Sequence, residues 1–292
     1  MGIKKPTIMK KWILTSFFAF GVLTLILLFI PIIPKKPSSP SSAPAPSPTI
    51  AVPTPKIYQP IDQYLPPVIP TSSSYTLIFV GDSMTESLGE NFDKLRVSLK
   101  KYYPDKIFGL FNYGFGSTNV LSVEDRLNRD IVYLGRNMPA ILGRSFDIIF
   151  IESFGNNPLS EFALDVGLQK QTAALDYLVA EIAGTHPNSL IVFIATVAPS
   201  QAFYGKGVVT LSPLVRNQWA NERRAYIENH INYAKRHNIP LINVYEKTLD
   251  KKGLTLTKYL DQGNYIHPSA EGVSLISQMI ADFLYKNLIL KN

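Results

Sequence analysis

The chain has no cysteine in 292 residues. That absence excludes a disulfide framework, thiolate metal sites, a cysteine nucleophile and a lipidated cysteine anchor, and it leaves either redox compartment open. Acidic residues are scarce at one end. Residues 1–74 hold seven lysines and one acid, Asp62, whereas residues 75–292 hold 22 basic and 21 acidic side chains. The formal charge of +7 is therefore almost wholly N-terminal. The nearly neutral remainder offers no electrostatic footprint for nucleic acid. Nothing has the ligand spacing of a metal site, and neither a metal nor a cofactor is expected. The stretch "GFGSTN" (114–119) lacks the third glycine of a dinucleotide loop, and no acid stands about twenty residues beyond it.

Long apolar runs are also few, with one exception. Trp12 to Ile33 is 22 residues without a charge, long enough for a helix to cross the hydrocarbon core of a bilayer. Lys4, Lys5, Lys10 and Lys11 precede it, which predicts a cytoplasmic N-terminus (1–11), a single-pass signal anchor (12–33) and an extracytoplasmic remainder. A cleaved signal peptide is the alternative, but its apolar core is usually shorter and ends in small residues, and no clear A-x-A follows here. Thirteen of the 22 prolines lie between Pro31 and Pro70. Residues 34–74 therefore read as an extended Pro/Ser-rich tether, contributing nothing to a core. Its 41 residues could span on the order of 100 Å.

From Tyr75 onward the pattern alternates. Apolar β-rich runs occur at 75–80, 106–113, 146–153, 190–197 and 241–245, with helical periodicity near 87–103, 123–135, 165–184, 213–237 and 269–288. Near-continuous apolar strands between helices predict one α/β domain over 75–292, a parallel five-stranded sheet covered on both faces. In such sheets the ligand site lies beyond the carboxyl ends of the strands. Polar, glycine-rich stretches follow those ends: "GDSMT" (81–85), "NYGFGSTN" (112–119), "FGNNPL" (154–159) and, before the last helix, "DQGNYIHPSAEG" (261–272). Acyl transfer needs a nucleophile, a base to take its proton, and donors aimed at the developing oxyanion. A serine, a histidine, and backbone N–H groups with an asparagine amide can supply them.

These four blocks, in this order, resemble the SGNH, or GDSL-like, serine esterase superfamily over about residues 75–290. The resemblance implies a three-layer α/β/α sandwich of flavodoxin-like topology and a Ser–His acyl-enzyme mechanism without a cofactor. It points to Ser83 as nucleophile and His267, in "IHPSAEG", as base. The oxyanion hole would comprise Ser83, Gly116 and Asn157, with Gly114 and Asn156 as alternatives. The family's usual Asp three residues before the histidine is Asn264 here. The group orienting His267 is therefore Asp261, Asn264 or a backbone carbonyl, as in Ser–His dyads. Envelope polysaccharide bearing O-acetyl groups is the expected substrate of a monomeric, tethered enzyme. A carboxylesterase or lysophospholipase acting on lipid, and an inactive SGNH-fold glycan binder, are the alternatives. Residues 198–218 read as a lid or specificity loop. His186, His230 and His237 read as solvated, Glu152 as structural, and Glu271 as an acid suited to the start of the last helix.

Overall fold

The five apolar runs become five parallel strands in the computed structural model, which describes residues 60–291. In chain order, β1 (Ser74–Gly81) is followed by the short helix α1 (Ser83–Glu86), α2 (Asp93–Tyr102), β2 (Ile107–Gly114) and α3 (Val123–Asn128). A hairpin of β3 (Ile131–Tyr133) and β4 (Arg136–Met138) comes next, then β5 (Ile148–Glu152), α4 (Leu164–Thr185), β6 (Leu190–Ala195) and α5 (Pro213–Arg236). Last come β7 (Leu241–Asn243), α6 (Val244–Lys247) and α7 (Ala270–Lys286).

The main sheet has the order β2-β1-β5-β6-β7, parallel throughout. Leu77 of β1 lies between Leu110 of β2 and Ile148 of β5. Every residue of β5 and β6 is buried, which is why their sequences are apolar on both faces rather than alternating. Phe79 stacks on Phe150 and meets Phe92, each at 4.6 Å between centroids. Helix α2 packs on α7, and α4 on α5. From β1 the chain runs outward to β2, then returns across β1 to β5 and continues the other way. That reversal makes a topological switch point beyond the carboxyl ends of β1 and β5, where open α/β sheets form their crevice.

Several expected boundaries move. The helix expected near 123–135 stops at Asn128, and residues 131–138 pair as an antiparallel hairpin. Leu134 and Gly135 take φ of 48° and 76°, the left-handed pair that a two-residue hairpin turn requires. The stretch near 87–103 is interrupted by Phe92 at φ 52°, so α2 begins only at Asp93. The last strand ends at Asn243, whose side chain caps α6. Ser269 caps α7 by accepting from the Gly272 N–H, so the last helix begins at Ala270.

The folded region also begins earlier than Tyr75. Tyr64 and Ile69 are buried. The Tyr64 hydroxyl accepts from the Ile191 N–H at 2.9 Å, and its backbone N–H donates to the His237 carbonyl at 2.8 Å. Residues 60–73 are thus part of the domain, held to β6 and the end of α5. The expected anchor (12–33), the cytoplasmic segment (1–11) and the tether up to residue 59 lie outside the described residues. Among the described residues no helix is long and apolar enough to cross a membrane.

Candidate active site

Ser83 is the first residue of α1, directly beyond β1. Asp82 forces the chain to turn there: its Oδ1 accepts from the Met84 N–H at 2.8 Å, an N-cap bond. The Ser83 hydroxyl is half-buried and has no hydrogen-bond partner among the described residues. As the first N–H of a helix, the Ser83 amide has no partner within α1 and is available to a ligand.

The second loop closes against this turn. Gly114 has no room for a side chain, because a Cβ there would lie 2.3 Å from the Glu86 backbone nitrogen. Its N–H is spent on Asn112 Oδ1 at 2.8 Å, within its own loop. Gly116 is nearer Ser83: a Cβ built on it would sit 3.8 Å from Ser83 Cβ and 2.8 Å from Glu86 Oε2. Its N–H donates to the Tyr133 hydroxyl at 2.8 Å, so, against expectation, neither the Gly116 nor the Gly114 N–H is free for an oxyanion; that hydroxyl donates to Glu86 Oε1 at 2.9 Å.

The third loop arrives from β5. Asn157 Nδ2 donates to Asp82 Oδ2 at 2.8 Å, which brings it beside the serine turn. Asn156 is buried, with neither side-chain atom partnered among the described residues. Phe154 and Ser117 take φ of 53° and 59°. Left-handed non-glycine residues in two of the site loops are the strain expected where a site over-determines its backbone.

Beneath these loops lies a charged cluster that sequence reasoning missed. Asp82 and Glu152 are both buried carboxylates, and Arg126 is a buried guanidinium. Arg126 donates to the carbonyls of Gly81 at 2.6 Å and Tyr113 at 2.9 Å, to Ser122 Oγ at 2.7 Å and to Thr118 Oγ1. It therefore pins the end of β1 to the end of β2. Burial pushes the Asp82 carboxyl up, opposed by the Met84 N–H and the Asn157 amide. Burial, then the charge of Asp82, pushes Glu152 well up. Burial pulls Arg126 down to about 10, against the pull of Asp82. One cation faces two buried carboxyls, so a proton on Glu152 balances the cluster. The signal in the sequence was Arg126 itself, a cation on the inward face of a short helix.

The histidine loop is held by its own side chains. Asn264 Oδ1 accepts from the N–H groups of Ile266 at 2.8 Å and His267 at 2.9 Å. Asn264 Nδ2 donates to Asp261 Oδ2 at 2.7 Å, and Asp261 Oδ1 accepts from the Gly263 N–H at 2.9 Å. The Asp261 N–H donates to the His267 carbonyl at 2.9 Å. Neither Asp261 nor Asn264 is hydrogen-bonded to the imidazole, and the imidazole is not hydrogen-bonded to Ser83, among the described residues. The expected lid segment touches this loop: Phe203 stacks on Tyr265 at 5.1 Å, and Gly207 (φ 101°) lies against the Gly263 carbonyl.

The other histidines differ from expectation in part. His230 is fully buried against Phe193, at 4.2 Å, and burial pulls it down to about 3. A buried ring of that kind is a core residue held neutral. His186 bonds to the Arg144 carbonyl at 3.0 Å, and His237 Nδ1 to the Ile61 carbonyl at 2.9 Å. Among the described residues no three His, Asp or Glu side chains converge as a metal would need.

Polar loops gathered at the switch point of a doubly wound sheet define the class as an α/β enzyme. The particular family follows from the sequence: residues 79–275 match the GDSL-like lipase/acylhydrolase family. The chain belongs to that family and is a hydrolase acting on ester bonds. Among solved structures it is similar to a variant of an acetyl-xylooligosaccharide esterase from Geobacillus stearothermophilus, at 15% identity and a TM-score of 0.50, covering 74% of this chain and 96% of that one. It is also similar to a gut microbial diltiazem-metabolizing enzyme, at 12% identity and a TM-score of 0.53, over 77% of this chain and 48% of that one. The lipase/acylhydrolase from Enterococcus faecalis shares 14% identity and a TM-score of 0.49, over 73% and 96%. At such identities the first two carry the fold alone. No curated protein matches the chain significantly.

Proposed function

We propose that the chain is an extracytoplasmic serine esterase that removes O-acetyl groups from cell-envelope polysaccharide. Ser83 is its nucleophile and His267 its base. The observation that carries the reading is the position of Ser83: it opens a helix at the switch point, with Gly116 and Asn157 brought to it by the two flanking strands' loops. The uncharged run from Trp12 to Ile33, behind four lysines, supports a membrane anchor and an outward-facing catalytic domain. Acetyl as the acyl group draws on the activity of the Geobacillus enzyme that shares the fold.

In this mechanism the Ser83 hydroxyl gives its proton to the imidazole of His267 and attacks the ester carbonyl. The Ser83 N–H and the Asn157 amide stabilise the oxyanion. The imidazolium then protonates the departing alcohol, and a water activated by the same ring hydrolyses the acyl-enzyme. Asp261 and Asn264 are occupied with each other and with backbone, so they shape the histidine loop while Ser83 and His267 act as a dyad. Catalytic hydrogen bonds are commonly long before substrate binds and tighten in the complex.

The test is acyl-chain profiling of the full chain in detergent with chromogenic esters from acetyl to dodecanoyl, beside Ser83→Ala and His267→Ala. Acetyl preference with loss in both variants is the expected result. Preference for long chains would move the substrate to lipid. Undiminished turnover in Ser83→Ala would end the serine mechanism, and no turnover by the native chain would leave a glycan binder.

A further inference from the structure

Glu86 and Tyr133 stand beside the nucleophile and have no part in the mechanism above. Glu86 is one helical turn after Ser83 on α1, and its Oε2 lies next to Gly116 with no hydrogen-bond donor among the described residues. Its other oxygen accepts from Tyr133. The Tyr133 ring comes from the hairpin of β3 and β4, which Arg136 ties to Glu90 at 3.1 Å. One face of that ring stacks on Phe115 at 4.1 Å and 11°, and Phe115 in turn carries the Arg126 guanidinium at 4.5 Å. No second ring covers the other face of Tyr133 among the described residues.

We propose that Glu86 and Tyr133 form the subsite for the alcohol half of the ester, and that they select an alcohol rich in hydroxyl groups, such as a sugar. This rests on the esterase reading and names the residues that select the alcohol half of its substrate. A carboxylate so near Ser83 opposes an oxyanion forming there unless a substrate donor engages it. A neighbouring hydroxyl of a sugar is such a donor, and hydrogen bonds to charged acceptors are among the stronger ones. The rigidly backed phenol ring offers an apolar face for the C–H face of the same sugar, and its hydroxyl is a second polar contact. A fatty alcohol or a simple aryl ester has no donor to offer.

The test compares two acetyl esters on the full chain in detergent: 4-nitrophenyl acetate, which carries no hydroxyl, and an O-acetylated neutral oligosaccharide. The measured quantity is the ratio of kcat/KM for the oligosaccharide to that for the aryl ester. In Tyr133→Phe and Glu86→Gln this ratio should fall roughly tenfold, the worth of one hydrogen bond to a charged or phenolic group. The fall should lie in KM for the oligosaccharide. A ratio that stays within twofold, or rises, overturns the subsite, including the case where both substrates slow or quicken together. Ser83→Ala separates the two claims: if it still turns over both esters, the esterase reading fails first, whatever the ratio does.

Discussion

Asn157 Nδ2 donates to Asp82 Oδ2 at 2.8 Å, so the loop after β5 is tied to the residue immediately before Ser83. The same carboxylate caps α1 through its other oxygen. Asp82 thus sets the serine turn and the Asn157 amide from one buried position. Replacing Asp82 with Asn keeps a capping oxygen but presents an NH2 group to the NH2 of Asn157. Steady-state kinetics should show kcat lowered about 10²-fold, the cost of misplacing a catalytic group by an ångström. Tm should fall as well, because the exchange loses the Asn157 hydrogen bond and the charge that faces buried Arg126. Asn157→Ala should lower kcat about 10²–10³-fold, the loss typical of one oxyanion donor. An Asp82→Asn enzyme with full kcat would show that the tie is dispensable.

Glu152 and His230 impose opposite pH dependences on stability. Glu152 is raised in the folded state by burial and by Asp82. The native state therefore holds a proton that the unfolded chain loses near pH 4.3, and stability falls as pH rises above that value. Glu152→Gln removes this titration. Its Tm relative to the native chain should increase from pH 5 to pH 9. A constant difference would mean that Glu152 is ionised in the fold throughout.

His230 works the other way. Its folded value is about 3 against 6.5 for a free ring. Stability is therefore complete above 6.5 and declines as pH falls from 6.5 towards 3. Between pH 7 and pH 5 this one ring should cost about 2 kcal/mol. Urea unfolding of His230→Leu at both pH values should show a smaller drop than the native chain by about that amount. Equal drops in both proteins would mean that His230 takes up its proton while folded.

The domain boundary makes a separate prediction. A fragment of residues 60–292 keeps Tyr64 and Ile69, whereas one of 75–292 loses both and leaves the Ile191 N–H without the Tyr64 hydroxyl. In the full chain, Tyr64→Ala should cost about 3–5 kcal/mol, as other buried aromatic truncations do. The shorter fragment should melt well below the longer one by differential scanning calorimetry. Coincident melting would return residues 60–73 to the tether.

The strands were legible because a buried parallel strand has no polar face to disguise it: "YTLIFV" and "FDIIFIES" fall within one or two residues of β1 and β5. The four site blocks were legible because each follows a strand end or opens the last helix. The hairpin was not, since "DIVYLGRNM" carries helix-compatible spacing and no Asn-Gly or Asp-Gly turn. His230 is concealed for a different reason. Helix α5 is polar over most of its length, and only its packing against β6 reveals that His230 faces Phe193. Tyr64 was hidden among prolines, where extended backbone docks on the domain without forming a ladder.

The histidine loop gives the last prediction. Asn264 Oδ1 is the acceptor for two consecutive N–H groups, those of Ile266 and His267, whereas Asp261 supports that amide from outside. If the loop is held mainly by Asn264, its loss frees the segment that carries the base. Asn264→Ala should then lower kcat more than Asp261→Ala does, by roughly tenfold, since positional slack in a catalytic group is costly. Neither should match His267→Ala, which removes the base altogether. The pH dependence of kcat adds a second readout. A carboxylate hydrogen-bonded to the imidazole would hold the ring's apparent pKa up, so its removal would shift the acid limb to lower pH. With Asp261 bonded to Asn264 and not to the ring, the acid limb of Asp261→Ala should superimpose on that of the native chain. A shift of that limb by a unit or more would put Asp261 in contact with the imidazole during turnover, and the dyad would become a triad.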